Sequence, residues 1–196
     1  GDYIALSMGE VAPVSAGFQP WIRLVSPTGV LLGNGIGTSA AQIAVTAPTT
    51  GTYTVIVGTN DGYGRNNDTG SYLLTLAKAP GTFATSTGDQ GGDLPNGATQ
   101  AGAIYLGDLD LWSFTATQGQ LITLSISEAA PVSPGFQPWI RLVSPTGVLV
   151  GDSFGAAAAQ IAVTAPTTGT YTVIVGTNDG YGRNNDTGSY LLTLTR

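Results

Sequence analysis

The side chains able to bind or transform anything are few. Histidine and cysteine are both absent. That removes Ser-His-Asp and Cys-His nucleophilic catalysis and the usual ligands of a zinc site. It also leaves no disulfide. What remains is oxygen chemistry. The loop Asn60-Asp61-Gly62-Tyr63-Gly64-Arg65-Asn66-Asn67-Asp68 is rich in oxygen donors and recurs unchanged at Asn178–Asp186. Calcium takes about six to eight oxygens from flexible loops. Asp61, Asn66 and Asp68, with their copies Asp179, Asn184 and Asp186, are its candidate ligands. The spacing is not that of an EF-hand, and Asn/Asp/Gly loops form readily without metal. Arg65 also stands where it can neutralise Asp61 or Asp68. A second acidic pair is Asp108 and Asp110. On one strand they would share a face, with Cα atoms about 7 Å apart. No basic residue adjoins them, so they serve hydrogen bonding at the start of a strand or calcium ligation.

The same loop runs into Asp68-Thr69-Gly70-Ser71 and Asp186-Thr187-Gly188-Ser189. This is the DTGS of aspartic proteases, and two copies would supply the two carboxylates that share a proton there. The protease Asp ends an apolar strand, whereas here Arg65-Asn66-Asn67 precede it. The pattern reads instead as a polar turn into a strand, with Gly70 and Gly188 at positive φ, and no enzyme is expected. Two aromatic–cation pairs complete the inventory. In Pro20-Trp21-Ile22-Arg23-Leu24 and its copy at Pro138–Leu142, inward Ile and Leu would turn Trp21 with Arg23, and Trp139 with Arg141, outward. Such a pair stacks on a sugar or on a neighbouring module; the alternative is a Trp packed as ordinary core. Tyr63 and Tyr181, at the loop tips, are contact candidates on the same logic.

The elements that must position these groups come as a repeat. Gly51–Leu76 recurs without one change at Gly169–Leu194, an offset of 118 residues. Val11–Leu76 laid on Ala129–Leu194 differs at eight positions, six of them in Leu32–Ser39 against Val150–Ala157. Within a repeat the apolar pattern has period two. Trp112 and Phe114 alternate with Ser113 and Thr115, and Ile122, Leu124 and Ile126 alternate with Thr123 and Ser125. Ser144-Pro145-Thr146-Gly147 suits a type I turn. Seven or eight short strands per repeat, with turn signals between them and no helical period, predict an all-β chain of tandem antiparallel β-sandwich modules. The expected division is a first module at 1–78, a linker or lead-in at 79–102, and a second module at 103–196.

The order GDLDLWSFTATQGQ, QPWIRLVSPTG, GTYTVIVG and GSYLLTL resembles the bacterial pre-peptidase C-terminal domain family. The match covers residues 103–194 and, without its first strands, 1–76. The resemblance implies a secreted, jelly-roll-like sandwich at the bacterial cell surface or outside the cell. Such domains are often appended to extracellular proteases and sometimes bind substrate or calcium.

Composition bounds the partners. Six basic against twelve acidic residues give a net charge of −6, which argues against nucleic acid and anionic membranes. No apolar run is long enough to span a bilayer as a helix. Only 9% of residues are charged while 42% are hydrophobic, so Thr, Ser, Gly, Asn and Gln must supply the polar surface, as is common in secreted β-proteins.

Gly1 aligns with Gly119, so the first module begins after the counterpart of the Trp112–Phe114 strand. Ile4, Leu6 and Met8 keep the inward pattern and are the expected interface for the missing strands. Losing the equivalents of Ile104, Leu111, Trp112 and Phe114 would remove about 6–12 kcal/mol of burial. That rivals the stability of a whole domain, about 5–15 kcal/mol. The expected partners are therefore copies of the repeat, along a longer array or head-to-tail between chains. The expected function is a non-catalytic stalk, adhesin or filament unit with strands shared along it. The alternative is a polysaccharide- or protein-binding module of a secreted hydrolase.

Overall fold

The structure, a computed structural model, describes residues 1–12, 17–60, 68–83, 89–178 and 187–196. The described residues form strands and turns and no α-helix. The N-terminal half contributes β1 (Tyr3–Val11), β2 (Pro20–Val25), β3 (Leu31–Ile36), β4 (Ala40–Thr46), β5 (Thr54–Thr59) and β6 (Ser71–Ala79). The C-terminal half contributes β7 (Gly91–Asp93), β8 (Thr99–Ile104), β9 (Asp110–Ala116), β10 (Leu121–Glu128), β11 (Pro138–Val143), β12 (Leu149–Phe154), β13 (Ala158–Thr164), β14 (Gly169–Thr177) and β15 (Gly188–Thr195). Part of the segment expected as a linker is thus structured. Its strand β8 completes a sheet beside β15.

The C-terminal sandwich packs the sheet β13-β10-β15-β8 against β12-β11-β14-β9-β7. Every named strand pair is antiparallel except β7 with β9. From β8 to β15 the chain changes sheet at every connection but the β11–β12 hairpin, which is the jelly-roll course. That hairpin turns at Ser144–Gly147, where Gly147 N donates to Ser144 O at 3.0 Å and Gly147 takes φ +83°. The period-two faces meet between the sheets, burying Trp112, Phe114, Ile122, Leu124, Ile140, Tyr171, Val173, Leu192 and Leu194. Phe114 stacks on Tyr171 with ring centroids 5.6 Å apart. Trp112 Nε1 donates to the Tyr190 hydroxyl at 2.9 Å, so both aromatics bury their polar ends satisfied.

Among the described residues, the N-terminal half repeats this order with three strands fewer, having no counterpart of β7, β8 or β9. Its sheets are β4-β1-β6 and β3-β2-β5; the counterparts of β8, beside β6, and of β9, beside β5, are missing. Identical sequence therefore behaves differently. Strand β14 runs nine residues because Gly169, Thr170 and Tyr171 pair with Ala116, Thr115 and Phe114. Strand β5 runs six, beginning after Gly51, Thr52 and Tyr53. Tyr190, Leu192 and Leu194 are fully buried, whereas Tyr72 is 46%, Leu74 37% and Leu76 56% exposed.

Ile4, Leu6 and Met8, expected as an interface for further strands, point between the two N-terminal sheets, and Ile4 also lines a cavity with Tyr53, Val55 and Leu76. All three are buried in the N-terminal core with Ile22, Leu24 and Ile43. In the C-terminal half β8 pairs with the last strand, β15, and β9 with β14, the counterpart of β5; among the described residues of the N-terminal half, the strands without such neighbours are β6 and β5.

The matched pair gives a direct test. Leu194→Ala should cost about 2–5 kcal/mol. Leu76→Ala, at the same position of the same sequence, should cost less than about 1 kcal/mol. Urea denaturation, with hydrogen exchange to assign each transition to its half, measures the difference.

Candidate functional site

Two arrangements bring chemistry-bearing side chains together. The first is acidic. Asp108 lies in the turn Tyr105–Asp108, closed by Asp108 N donating to Tyr105 O at 3.1 Å, and Asp110 opens β9. The two are thus not on one strand, as the sequence reading had them. Asp110 points inward: it is fully buried, and Tyr190 donates its hydroxyl proton to Asp110 Oδ2 at 2.5 Å. Asp89, from the segment leading into β7, joins them, and one carboxylate oxygen from each lies within 4.8 Å of the others. Gln90 anchors that segment by accepting from Ala103 N on β8 at 2.9 Å. Nothing in the spacing singles out Asp89; only the parallel β7–β9 pairing brings it here.

Burial, and then the nearby Asp89 charge, push Asp108 up to about 6. Burial pushes Asp110 up to about 8, against the Tyr190 hydrogen bond and with help from Asp89 and Asp108. Tyr190 is raised too, by burial and the Asp110 charge. Asp110 Oδ1 has no hydrogen-bond partner. Three carboxylates converging around an orphaned buried oxygen match the donor set of a hard divalent cation such as calcium.

The second arrangement joins the halves. Along β1, Ile4, Leu6 and Met8 face one way and Tyr3, Ala5, Ser7 and Gly9 the other, yet the whole strand from Tyr3 to Glu10 is buried. The outward set, with Ala77 and Ala79 of β6, packs on the outer face of the C-terminal sheet: Leu109, Leu111, Trp139, Val143 and Ile174. Gln42 Nε2 donates across to Thr177 O at 3.2 Å. A Cβ on Gly9 would lie 2.1 Å from the Leu106 carbonyl carbon, so only glycine admits this approach. The corresponding strand β10 carries Leu121, Thr123 and Ser127 where β1 has Tyr3, Ala5 and Gly9.

The two Trp–Arg pairs sit on either side of this difference. Both face outward. Trp139 is buried in the joint, with Arg141 3.7 Å above its ring and 5.8 Å from the Tyr3 ring. Trp139 Nε1 donates to Asp152 Oδ1 at 2.7 Å, and Arg141 pairs with Asp152 at 3.4 Å. Arg23 covers Trp21 at 4.3 Å in the same way, and Asn34 accepts from both at 2.9 and 3.2 Å. That pair is not covered: Arg23 is exposed and Trp21 half-buried.

Of the loop candidates, Asp61, Tyr63, Asn66, Asp179, Tyr181, Asn184 and Asp186 lie outside the described residues. Asp68 is half-buried against Gly17. Gly70 and Gly188 do not adopt positive φ. Their glycines are required for another reason: a Cβ would meet the Phe18 ring at 2.7 Å and the Phe136 ring at 2.5 Å.

No family model matches the chain, and no curated protein matches it. Solved structures do align. One is the pre-peptidase C-terminal domain of a collagenase from Bacillus anthracis, with TM-score 0.42 and 16% identity, covering 55% of this chain and 96% of that one. Another is PliG of Aeromonas hydrophila, a periplasmic inhibitor of g-type lysozyme, with TM-score 0.42 and 17% identity, covering 55% and 97%. A third is CorA, a surface-associated copper-binding protein important in copper acquisition by Methylomicrobium album BG8, with TM-score 0.40 and 12% identity, covering 57% and 99%. At this level the likeness says nothing about ligand, activity or location.

The raised carboxyls fix a pH response. A carboxyl whose folded value lies above its unfolded one stabilises the fold fully below about pH 4. That contribution is lost as pH rises through about 6 to 8. In a chelator-containing buffer the melting temperature of the C-terminal half should therefore fall between pH 5 and 8.5. Asp110→Asn should flatten the fall. A melting curve that rises over that interval would contradict the burial of Asp110.

Proposed function

We propose that this chain is a non-catalytic structural unit of an extracellular tandem array, in which sandwich modules stack face against face. The joint between the halves carries this reading. One strand, β1, is buried on both sides, and its outward face is made small at Ala5 and Gly9 so that a second sandwich can lie directly on it. Membership of the pre-peptidase C-terminal family belongs to the same proposal, resting on the four ordered motifs and the jelly-roll course. The Trp21–Arg23 shelf has the geometry of the Trp139–Arg141 shelf already covered by Tyr3, which supports a further module as its partner. Negative-stain microscopy with light scattering tests the array: rods or polymers with a module-scale axial period are expected. Strictly monodisperse chains across the concentration range would instead favour the shelf as a polysaccharide or protein contact. Gly9→Ser, which puts the β10 residue into β1, should loosen the joint and lengthen the particle in small-angle scattering.

A calcium ion held by Asp89, Asp108 and Asp110 is the second reading, carried by the orphaned Asp110 Oδ1. Bound there it would neutralise the buried carboxylates and tie the segment before β7 to β9. Calcium should raise the melting temperature at pH 7.5, and Asp110→Asn should abolish the response. An unchanged melting temperature at millimolar calcium would rule the site out.

A further inference from the structure

Arg23 and Arg141 hold the same place on the outer faces of their sheets but differ in local charge. Each lies over its tryptophan, 4.3 Å from the Trp21 ring and 3.7 Å from the Trp139 ring. Each turns Nε toward the residue opposite it on the neighbouring strand, Asn34 for Arg23 and Asp152 for Arg141. Asp152 cancels the Arg141 charge. Asn34 has the same shape and is neutral, so the Trp21–Arg23–Asn34 group keeps its full positive charge. Among the described residues no carboxylate pairs with Arg23, and its two Nη groups have no hydrogen-bond partner. This difference lies in the side chains and stands whether or not a surface lies over them.

The neighbours of Arg23 on this face are apolar. Ile36 stands opposite Trp21, and Ile56 opposite Arg23, on the same side of the sheet. The two are 50% and 41% exposed, whereas Ile174, the counterpart of Ile56, is fully buried in the joint. The joint records the chemistry of a covered Trp–Arg pair. The covering surface brings an aromatic ring, Tyr3, to 5.8 Å from the Arg141 guanidinium, within cation–π range. A carboxylate, Asp152, balances the charge. At Trp21 and Arg23 both of these must come from the covering surface. A purely apolar cover would bury an unpaired guanidinium, which is far more costly than burying a paired one.

We propose that the Trp21–Arg23–Asn34 face docks a protein surface that sets an aromatic ring on Arg23 and a carboxylate against its Nη groups; the proposal rests on the reading of this face as a module contact and gives that contact its chemistry. The two Nη groups of the planar guanidinium donate side by side to the incoming carboxylate. Ile36 and Ile56 flank the incoming ring. Asn34 thereby sets the choice of partner. With Asp in its place, as in the C-terminal copy, Arg23 is already neutralised and an incoming acid meets a like charge.

The test uses the full 196-residue chain and terminally blocked dipeptides as probes: Asp-Tyr, Asn-Tyr and Asp-Ala, each titrated to millimolar concentration. NMR follows the indole N–H of Trp21, assigned with Trp21→Phe. A saturable shift with Asp-Tyr is expected. Asn-Tyr and Asp-Ala should each bind about three- to fivefold more weakly. Arg23→Gln should abolish the response. Asn34→Asp should weaken Asp-Tyr binding by about the same three- to fivefold or more, and the fold tolerates it, since Asp152 fills that place in the C-terminal copy. No saturable shift, equal binding of the three dipeptides, or unaltered Asp-Tyr binding by the Asn34→Asp chain would overturn the proposal. A trigalacturonate probe that binds more tightly than Asp-Tyr would also overturn it, in favour of an acidic sugar. Light scattering on the same chain separates this from the array. Polymers indifferent to Asp-Tyr would keep the array and remove the acid–aromatic contact. Monodisperse chains that bind Asp-Tyr would keep the contact and remove the array.

Discussion

The pairing of β9 with β14 is the contact on which the completed sandwich depends. It extends β14 by three residues, places Phe114 flat on Tyr171, and carries Trp112 to Tyr190, so that two sheets are closed by one crossing segment. Where an identical β14 sequence lacks that neighbour, the strand begins later and its apolar face stays half in water. Side-chain burial is thus a property of the neighbour as much as of the residue. Sheet edges make this visible, because a strand end holds its conformation through ladder hydrogen bonds it cannot form alone.

The same segment sets the electrostatics. Asp110 is the first residue of β9 and must enter the core for Trp112 and Phe114 to do so, because the pleat puts alternate residues on one face. A carboxylate in that position loses solvation, which the Tyr190 hydroxyl offsets on one oxygen only. Asp108 and Asp89 add charge to the same corner. The acidic cluster and the closing strand are therefore one feature of the fold seen from two sides.

Between the halves, a different rule operates. Sheets stack when their facing side chains allow backbones to approach, and β1 meets the condition with Ala5 and Gly9. The C-terminal strand β10 keeps Thr123 and Ser127 at those positions, on a face that remains at the surface. A few substitutions in an otherwise duplicated sequence thus give one sandwich an adhesive outer face and leave the other polar. The Trp–Arg pair, duplicated with Asn34 replaced by Asp152 as its acceptor, is covered in one copy and open in the other because of what lies across from it.

Much of this was legible in the residues. Period-two alternation, turn signals such as Ser144–Gly147, and the 118-residue offset gave an all-β sandwich, its inward residues and its duplication. These are local: they depend on backbone pleat and turn stereochemistry, which neighbouring residues in sequence impose. Three things were not legible. The strand edges without a partner among the described residues fell on β5 and β6, since strand order in space differs from order in the chain. Asp89 joined the acidic pair through a parallel pairing that no spacing announces. Gly70 and Gly188 answered to the Phe18 and Phe136 rings, not to positive φ. The sequence by itself determined which face of each strand is apolar, because that follows from alternation. Only the tertiary structure decided which of those faces are covered, because covering requires a strand or sheet brought from far along the chain.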